Sequence, residues 1–361
     1  MRTITHFRAG LVIIMTLPGI IRAETITIGR GTGIMWEGMP FDTSFSGPLY
    51  HTDSYPWYGL LSVSRSHQQC MSLSNVENIG GYKAYRLGIT GVGLVPRATG
   101  SVVYTRANHS TETLNGTIGL PQTRGEITGG NVTTPSDGTD WCLPATTTSI
   151  QNYFSSAETR NVRLSGSWVL VADGTQQSSE YTLPAMYAAS FSPNSNGDKY
   201  SLILPASITL RISTLQCTVN TPMSVAFQEV TRNTQIGAEL AKLSYPLITT
   251  CDQPTDRIRA NINLQFRALT GHYEGEPTRL TLHQGGGYIT GEIDENVTGS
   301  GNCSATTGLP FNNTMVTLGE ITSAENSKSF QNVVTWRLCS GGSTLPTGAV
   351  HASAEMLVTF N

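Results

Sequence analysis

The chain has 361 residues, with 22 Lys and Arg against 25 Asp and Glu. That balance argues against a nucleic-acid partner or a charge-driven contact with an anionic membrane. Only 13% of residues are charged, yet 13 Tyr, 10 Phe and 5 Trp are present, which argues against a disordered chain.

Residues 1–23 read as an export signal. Arg2 and Arg8 form a basic start, residues 9–21 (AGLVIIMTLPGII) an apolar run, and Ile21-Arg22-Ala23 a small-residue cleavage site. The run is shorter than the roughly 20 apolar residues a membrane span needs, and Pro18 interrupts it. Cleavage after Ala23 leaves Glu24 to Asn361; it removes three arginines and no acids, so the formal charge moves from −3 to −6. The remainder is long enough for two domains. No later stretch is apolar enough to span a bilayer.

Short β-branched runs then follow one another, separated by Gly, Pro and Asn, and the class expected is all-β. In the first half these are ETITI (24–28), YGLLSVS (58–64), YRLGITGVGLV (85–95), SVVYTRA (101–107), VRLSGSWVLVA (162–172) and YSLILPASITLRI (200–212). Loops such as 129–140 and 192–199 divide them. In the second half the runs are MSVAFQEV (223–230), IRANINLQFRAL (258–269), TRLTLHQ (278–284), MVTLGEI (315–321), VVTWRL (333–338) and the C-terminal tail. About seven short strands over that length suggest an immunoglobulin-like sandwich. The boundary is expected near Ser213, with a short, stiff joint, and no internal repeat is visible.

The six cysteines are Cys70, Cys142, Cys217, Cys251, Cys303 and Cys339. An even number in an exported chain reads as three disulfides, for which 15 pairings exist. Sequential pairing is the expectation, and closing a loop of about 35 residues would stabilise by roughly 4 kcal/mol in the chain-entropy model. Metal binding has no supporting C-x-x-C or H-x₃-H spacing. His51, His67 and His109 could in number hold zinc, but their spacing has no metal signature, so neither metal nor cofactor is expected.

Enzymatic motifs are missing: no G-x-S-x-G, H-E-x-x-H or P-loop occurs, and GRGTG at 29–33 is an incomplete dinucleotide fingerprint. Glu274 and Glu276 imitate a glycosidase pair but sit in a turn-like stretch, HYEGEP.

The tail GAVHASAEMLVTFN alternates. Gly348, Val350, Ala352, Ala354, Met356, Val358 and Phe360 share one parity, while His351, Ser353, Glu355 and Thr359 share the other. This is the period of a half-buried strand running to Phe360, with only Asn361 beyond. Upstream, Cys217 opens CTVNTPMSVAFQEV, and Cys251 follows in SYPLITTCD. Together these features resemble the pilin domain of chaperone–usher fimbriae: a first-strand cysteine and its partner, a glycine fourteenth from the end, and a penultimate aromatic. Cys303 and Cys339 are extra to that pattern.

The resemblance implies an immunoglobulin-like sandwich that lacks its seventh strand over residues 214–361. Gly348, Val350, Ala352, Ala354, Met356, Val358, Phe360 and Asn361 would then form the interface to a donated strand. The implied partners are a periplasmic chaperone, an outer-membrane usher and the next pilin subunit. Residues 24–213, in place of a donor arm, would make the chain a two-domain tip adhesin, exported through the periplasm to the fimbrium tip. The first domain would bind a host receptor, with carbohydrate the leading class. Aromatic faces beside Asp or Asn fit a sugar site, and the candidates are Trp36, Asp53, Tyr55, Trp57, Tyr58, Asp140 and Trp141. Trp168, in an apolar run, is expected in the core. Two other readings stay open: an adaptor or capping subunit without a receptor, and a secreted glycan hydrolase.

Overall fold

A computed structural model describes residues 24–49, 59–106, 108–145, 158–192 and 195–361. The 1–23 signal segment, His51, Asp53, Tyr55, Trp57 and Tyr58 lie outside these residues. The fold is all-β, built as two sandwiches.

The first sandwich is organised by long strands. Thr32–Pro48 and Thr159–Asp173 pair antiparallel along their length, and Val92–Thr105 pairs with the other side of Thr159–Asp173. Thr111–Gly119, Arg124–Ile127 and Asn131–Thr133 extend this sheet outward. The opposing sheet holds Cys142–Leu143, Leu61–Ser64, Met186–Ser190 and Lys199–Leu204 in that order. Alternation sends Val162 and Leu164 inward from one face, and Trp168 to Ala172 are buried without a break. Trp168 is a core residue as expected, its Nε1 donating to the Ile203 carbonyl at 3.1 Å.

Arg160 is a buried cation with no carboxylate in hydrogen-bond contact among the described residues. Its Nε donates to Ser190 Oγ at 2.6 Å, and its Nη atoms donate to the carbonyls of Gly47, Pro48, Ser190 and Gly197. Burial lowers its pKa to about 10, with Asp198 pulling the other way. It ties the end of Thr159–Asp173 to the turn before Lys199–Leu204.

In the second sandwich, one sheet runs Gln216–Asn220, Glu239–Asp252, Ser327–Ser340, Gly287–Ile293 and Leu280–Thr281. Facing it lie Ala354–Phe360, Ala260–Ala268 and Val316–Ile321. Leu247, Leu264, Phe311 and Val334 are buried between them. The three disulfides pair sequentially, Cys70–Cys142, Cys217–Cys251 and Cys303–Cys339, as expected.

Three strand expectations need correction. MSVAFQEV (223–230) is not a strand: Met223 is 87% exposed and Gln228 has φ of 58°. The ladder from Gln216–Asn220 stops at Asn220 opposite Ile248, and Pro222 has no N–H to continue it. TRLTLHQ (278–284) contributes only Leu280–Thr281. The C-terminal ladder is also shorter than the alternation implied, spanning Ala354–Phe360.

The halves meet in one sheet, whose order is Ser179–Thr182, Thr209–Ile212, Thr25–Ile28, Ala354–Phe360, Ala260–Ala268, Val316–Ile321. Thr25–Ile28 lies parallel to Thr209–Ile212 and meets the C-terminal strand only where Thr27 faces Phe360. Above this seam Arg97 Nη1 donates to Glu355 Oε2 at 3.3 Å and its Nε lies 3.5 Å from Glu37 Oε2. Arg267 grips Glu355 from its own sheet at 2.7 Å, and Ser167 donates to Glu37 at 2.6 Å.

Replacing Arg160 by Leu would remove its donors from those four carbonyls and from Ser190 Oγ, and should lower stability by about 3–5 kcal/mol, read from urea unfolding. Burial pushes the Glu355 carboxyl up, but Arg267 and Arg97 more than reverse this and hold it below its ordinary 4.5. A depressed folded-state pKa gives stability that is present above 4.5 and lost as pH falls through the lowered value. Glu355→Gln should therefore weaken the protein at neutral pH and flatten the acid limb of its stability–pH curve.

Candidate functional site

Ala354–Phe360 is paired on one side by Ala260–Ala268, with Phe360 opposite Ile262 and Ala354 opposite Ala268. Asn361 and Asn261 exchange both backbone hydrogen bonds, at 2.8 and 3.3 Å, and Leu269 N–H donates to the Ser353 carbonyl at 2.9 Å. In an antiparallel ladder such bonded positions alternate. The odd residues 353 to 361 therefore turn their backbone groups to this neighbour, and the even ones turn theirs away. On that far side Phe360 meets Thr27. Ala354, Met356 and Val358 meet no described backbone there. Among the described residues the sheet edge is open there.

Beside this edge lies a cleft of about 1120 Å³. One wall is the irregular segment 221–230, with Val225 and Phe227 half-buried toward it. The other wall is Gly348 to Ala354 with Met356. Its floor is the sandwich core itself: Phe266, Phe311, Trp336, Leu247 and Ile289. Phe311 and Trp336 stack with centroids 6.4 Å apart, and Phe266 stands edge-on to both. Segment 221–230 and the stretch Gly348 to Ala354 with Met356 both line this apolar floor. The apolar floor and the unpaired backbone groups therefore call for the same occupant, an extended chain.

The structure brings five of the eight expected interface residues, Gly348, Val350, Ala352, Ala354 and Met356, to this cleft. The other three sit elsewhere. Val358 bridges two core clusters, and Phe360 is buried against Leu215, Cys251 and Ile262. Asn361 is exposed and accepts from Asn263 Nδ2 at 2.9 Å. Sequence reasoning missed the floor residues, above all Trp336 and Phe311. Their signal was the apolar face of VVTWRL, which reads equally well as ordinary core.

The aromatic receptor candidates fare differently. Trp36 is 8% exposed and Trp141 1%, both within the main core of the first sandwich. Asp140 is buried, its Oδ1 accepting from Trp141 N–H at 2.8 Å and its Oδ2 lying 3.7 Å from Lys83 Nζ. All three side chains lie in the interior of the first sandwich in this structure.

The His67 and Tyr200 rings lie tilted against each other with centroids 4.8 Å apart, and His109 lies 3.8 Å from Glu158. Among the described residues no group of three or more His, Cys, Asp or Glu could hold a metal. His351 is exposed as expected, stacked on His283 at 4.8 Å. Glu274 lies in the short turn Tyr273–Gly275, 3.9 Å from Arg279.

No protein-family model and no curated protein matches the chain. Among solved structures it is similar to the CupB6 tip adhesin from Pseudomonas aeruginosa. That likeness has 12% identity over 92% of this chain and 88% of the other, with a TM-score of 0.27. It is also similar to a structure described as "Chaperone-tip adhesin complex is vital for synergistic activation of CFA/I fimbriae biogenesis", at 9% identity over 93% and 95% of the two chains, with a TM-score of 0.26.

Backbone amide exchange tests the open edge. The amides of Ala354, Met356 and Val358 should exchange far faster than those of Glu355, Leu357 and Thr359. Equal protection along the strand would mean that the edge is already covered.

Proposed function

We propose that the chain is a tip adhesin of chaperone–usher fimbriae. Residues 214–361 act as a pilin domain that accepts a donated strand, and residues 24–213 as a receptor-binding domain. The observation that supports this is the edge of Ala354–Phe360, unpaired among the described residues, beside an apolar cleft of about 1120 Å³. Such an edge invites aggregation unless a partner covers it. A periplasmic chaperone would cover it first, the usher would receive the complex, and the next subunit's strand would replace the chaperone's. A donor burying four or five apolar side chains would remove about 400 Å² of apolar surface, worth on the order of 10 kcal/mol as an upper bound. Typical domain stability is about 5–15 kcal/mol, so completion of the sandwich decides whether the second half stays folded. We read the first half, a large sandwich standing where a donor arm would, as putting such a subunit at the end of a polymer, with attachment to a host receptor as its task there.

The test is thermal unfolding of the mature chain with a synthetic peptide of alternating apolar residues. At about 100 times its Kd the peptide should raise the melting temperature by about 5–10 °C. Met356→Glu, which puts a charge on the cleft wall, should abolish the shift. No shift in the unsubstituted chain, or an equal shift in the variant, would remove the fimbrial reading.

A further inference from the structure

The outer face of the first sandwich carries a valley of about 880 Å³ that crosses its strands at right angles. Three glycines, Gly100, Gly116 and Gly125, lie in register on neighbouring strands and form its floor. Their missing side chains would point into the core. A Cβ on Gly116 would stand 2.5 Å from Leu143 Cδ1, and one on Gly125 2.8 Å from Leu114 Cδ1. The core leaves no room for side chains here, so the backbone row sinks inward. Glycine inside a strand weakens it against alanine, and often marks a close approach of a ligand or backbone.

Two polar rows stand on either side of the floor. One is Asp42, Ser165, Thr99, Thr117 and Arg124, each opposite the next across the sheet. The other is Arg163, Ser101, Asn115 and Glu126. Only Thr117 among them spends its side chain inside the protein, donating to the Gln122 carbonyl at 2.7 Å. The two arginines and two acids form no ion pair with one another.

We propose that this valley binds a linear, neutral oligosaccharide, laid across the strands with its hydroxyls bonded to both rows. This rests on the receptor-binding reading of residues 24–213. Charge selects the class: Asp42 and Glu126 oppose a polyanion, and Arg124 and Arg163 oppose a polycation. Two carboxylates and two guanidiniums with no net charge suit vicinal diols, which donate to the former and accept from the latter. An extended peptide is disfavoured, because strand addition needs free backbone groups and those of the floor are already paired within the sheet. At about 4.8 Å per strand, the five strands from Asp42 to Arg124 give a valley roughly 19 Å long.

The test screens the mature full-length chain, held with the alternating peptide, against immobilised neutral oligosaccharides of increasing length, their sialylated and sulfated counterparts, and cultured epithelial cells. Neutral oligosaccharides should be retained, more tightly as length grows to fill the valley. Ser101→Trp, which blocks the valley from its solvent face, and Arg163→Ala should each cut retention by about tenfold or more with an unchanged melting temperature. Retention only of sialylated or sulfated glycans overturns the proposal. So does cell attachment that both variants keep, which leaves the receptor reading standing. A folded chain that retains no glycan and attaches to no cell overturns both.

Discussion

The fold of the second half depends on one antiparallel register. Because Asn361 and Asn261 exchange their backbone bonds, every even residue of the last strand is committed to facing away from its neighbour. A shift by one residue would turn Met356 and Val358 out of the core and bring Glu355 into it. Thr27 stands at the far end of that free side, and the cleft walls end at Met356. The same register therefore sets the direction, the length and the apolar lining of the space left open.

Around it, charge and disulfides hold the frame. Cys217–Cys251 joins facing residues of two adjacent strands, at the root of the cleft wall. Beyond Asn220 that wall has no ladder, and its form is set by Pro222, Gln228 and packing of Val225 and Phe227. Glu37, Arg97, Glu355 and Arg267 then cross from the first sandwich to the last strand. One strand thus carries the open edge on one side and the contact with the first half on one of its faces.

Much of this was legible in the chain. The period-two tail announced a strand with one buried face, and an even cysteine count announced the disulfides. Trp168 in GSWVLVA announced a core indole. What was not legible required three dimensions. Thr32–Pro48 carries FDTSFSG, too polar and small to stand out as a strand until Thr159–Asp173 is seen beside it. Trp36 and Trp141 have the composition of a sugar platform, and only packing shows them buried. Gly100, Gly116 and Gly125, successively sixteen and nine residues apart, look like unrelated turn residues until the register aligns them.

The shared sheet has a mechanical consequence. Thr25–Ile28 and Thr209–Ile212 run side by side in the same direction. Tension along their common axis would therefore slide several hydrogen bonds at once instead of peeling them singly, as in a lap joint. The Thr27–Phe360 contact to the C-terminal strand, a single pair, has no such ladder and would give way first.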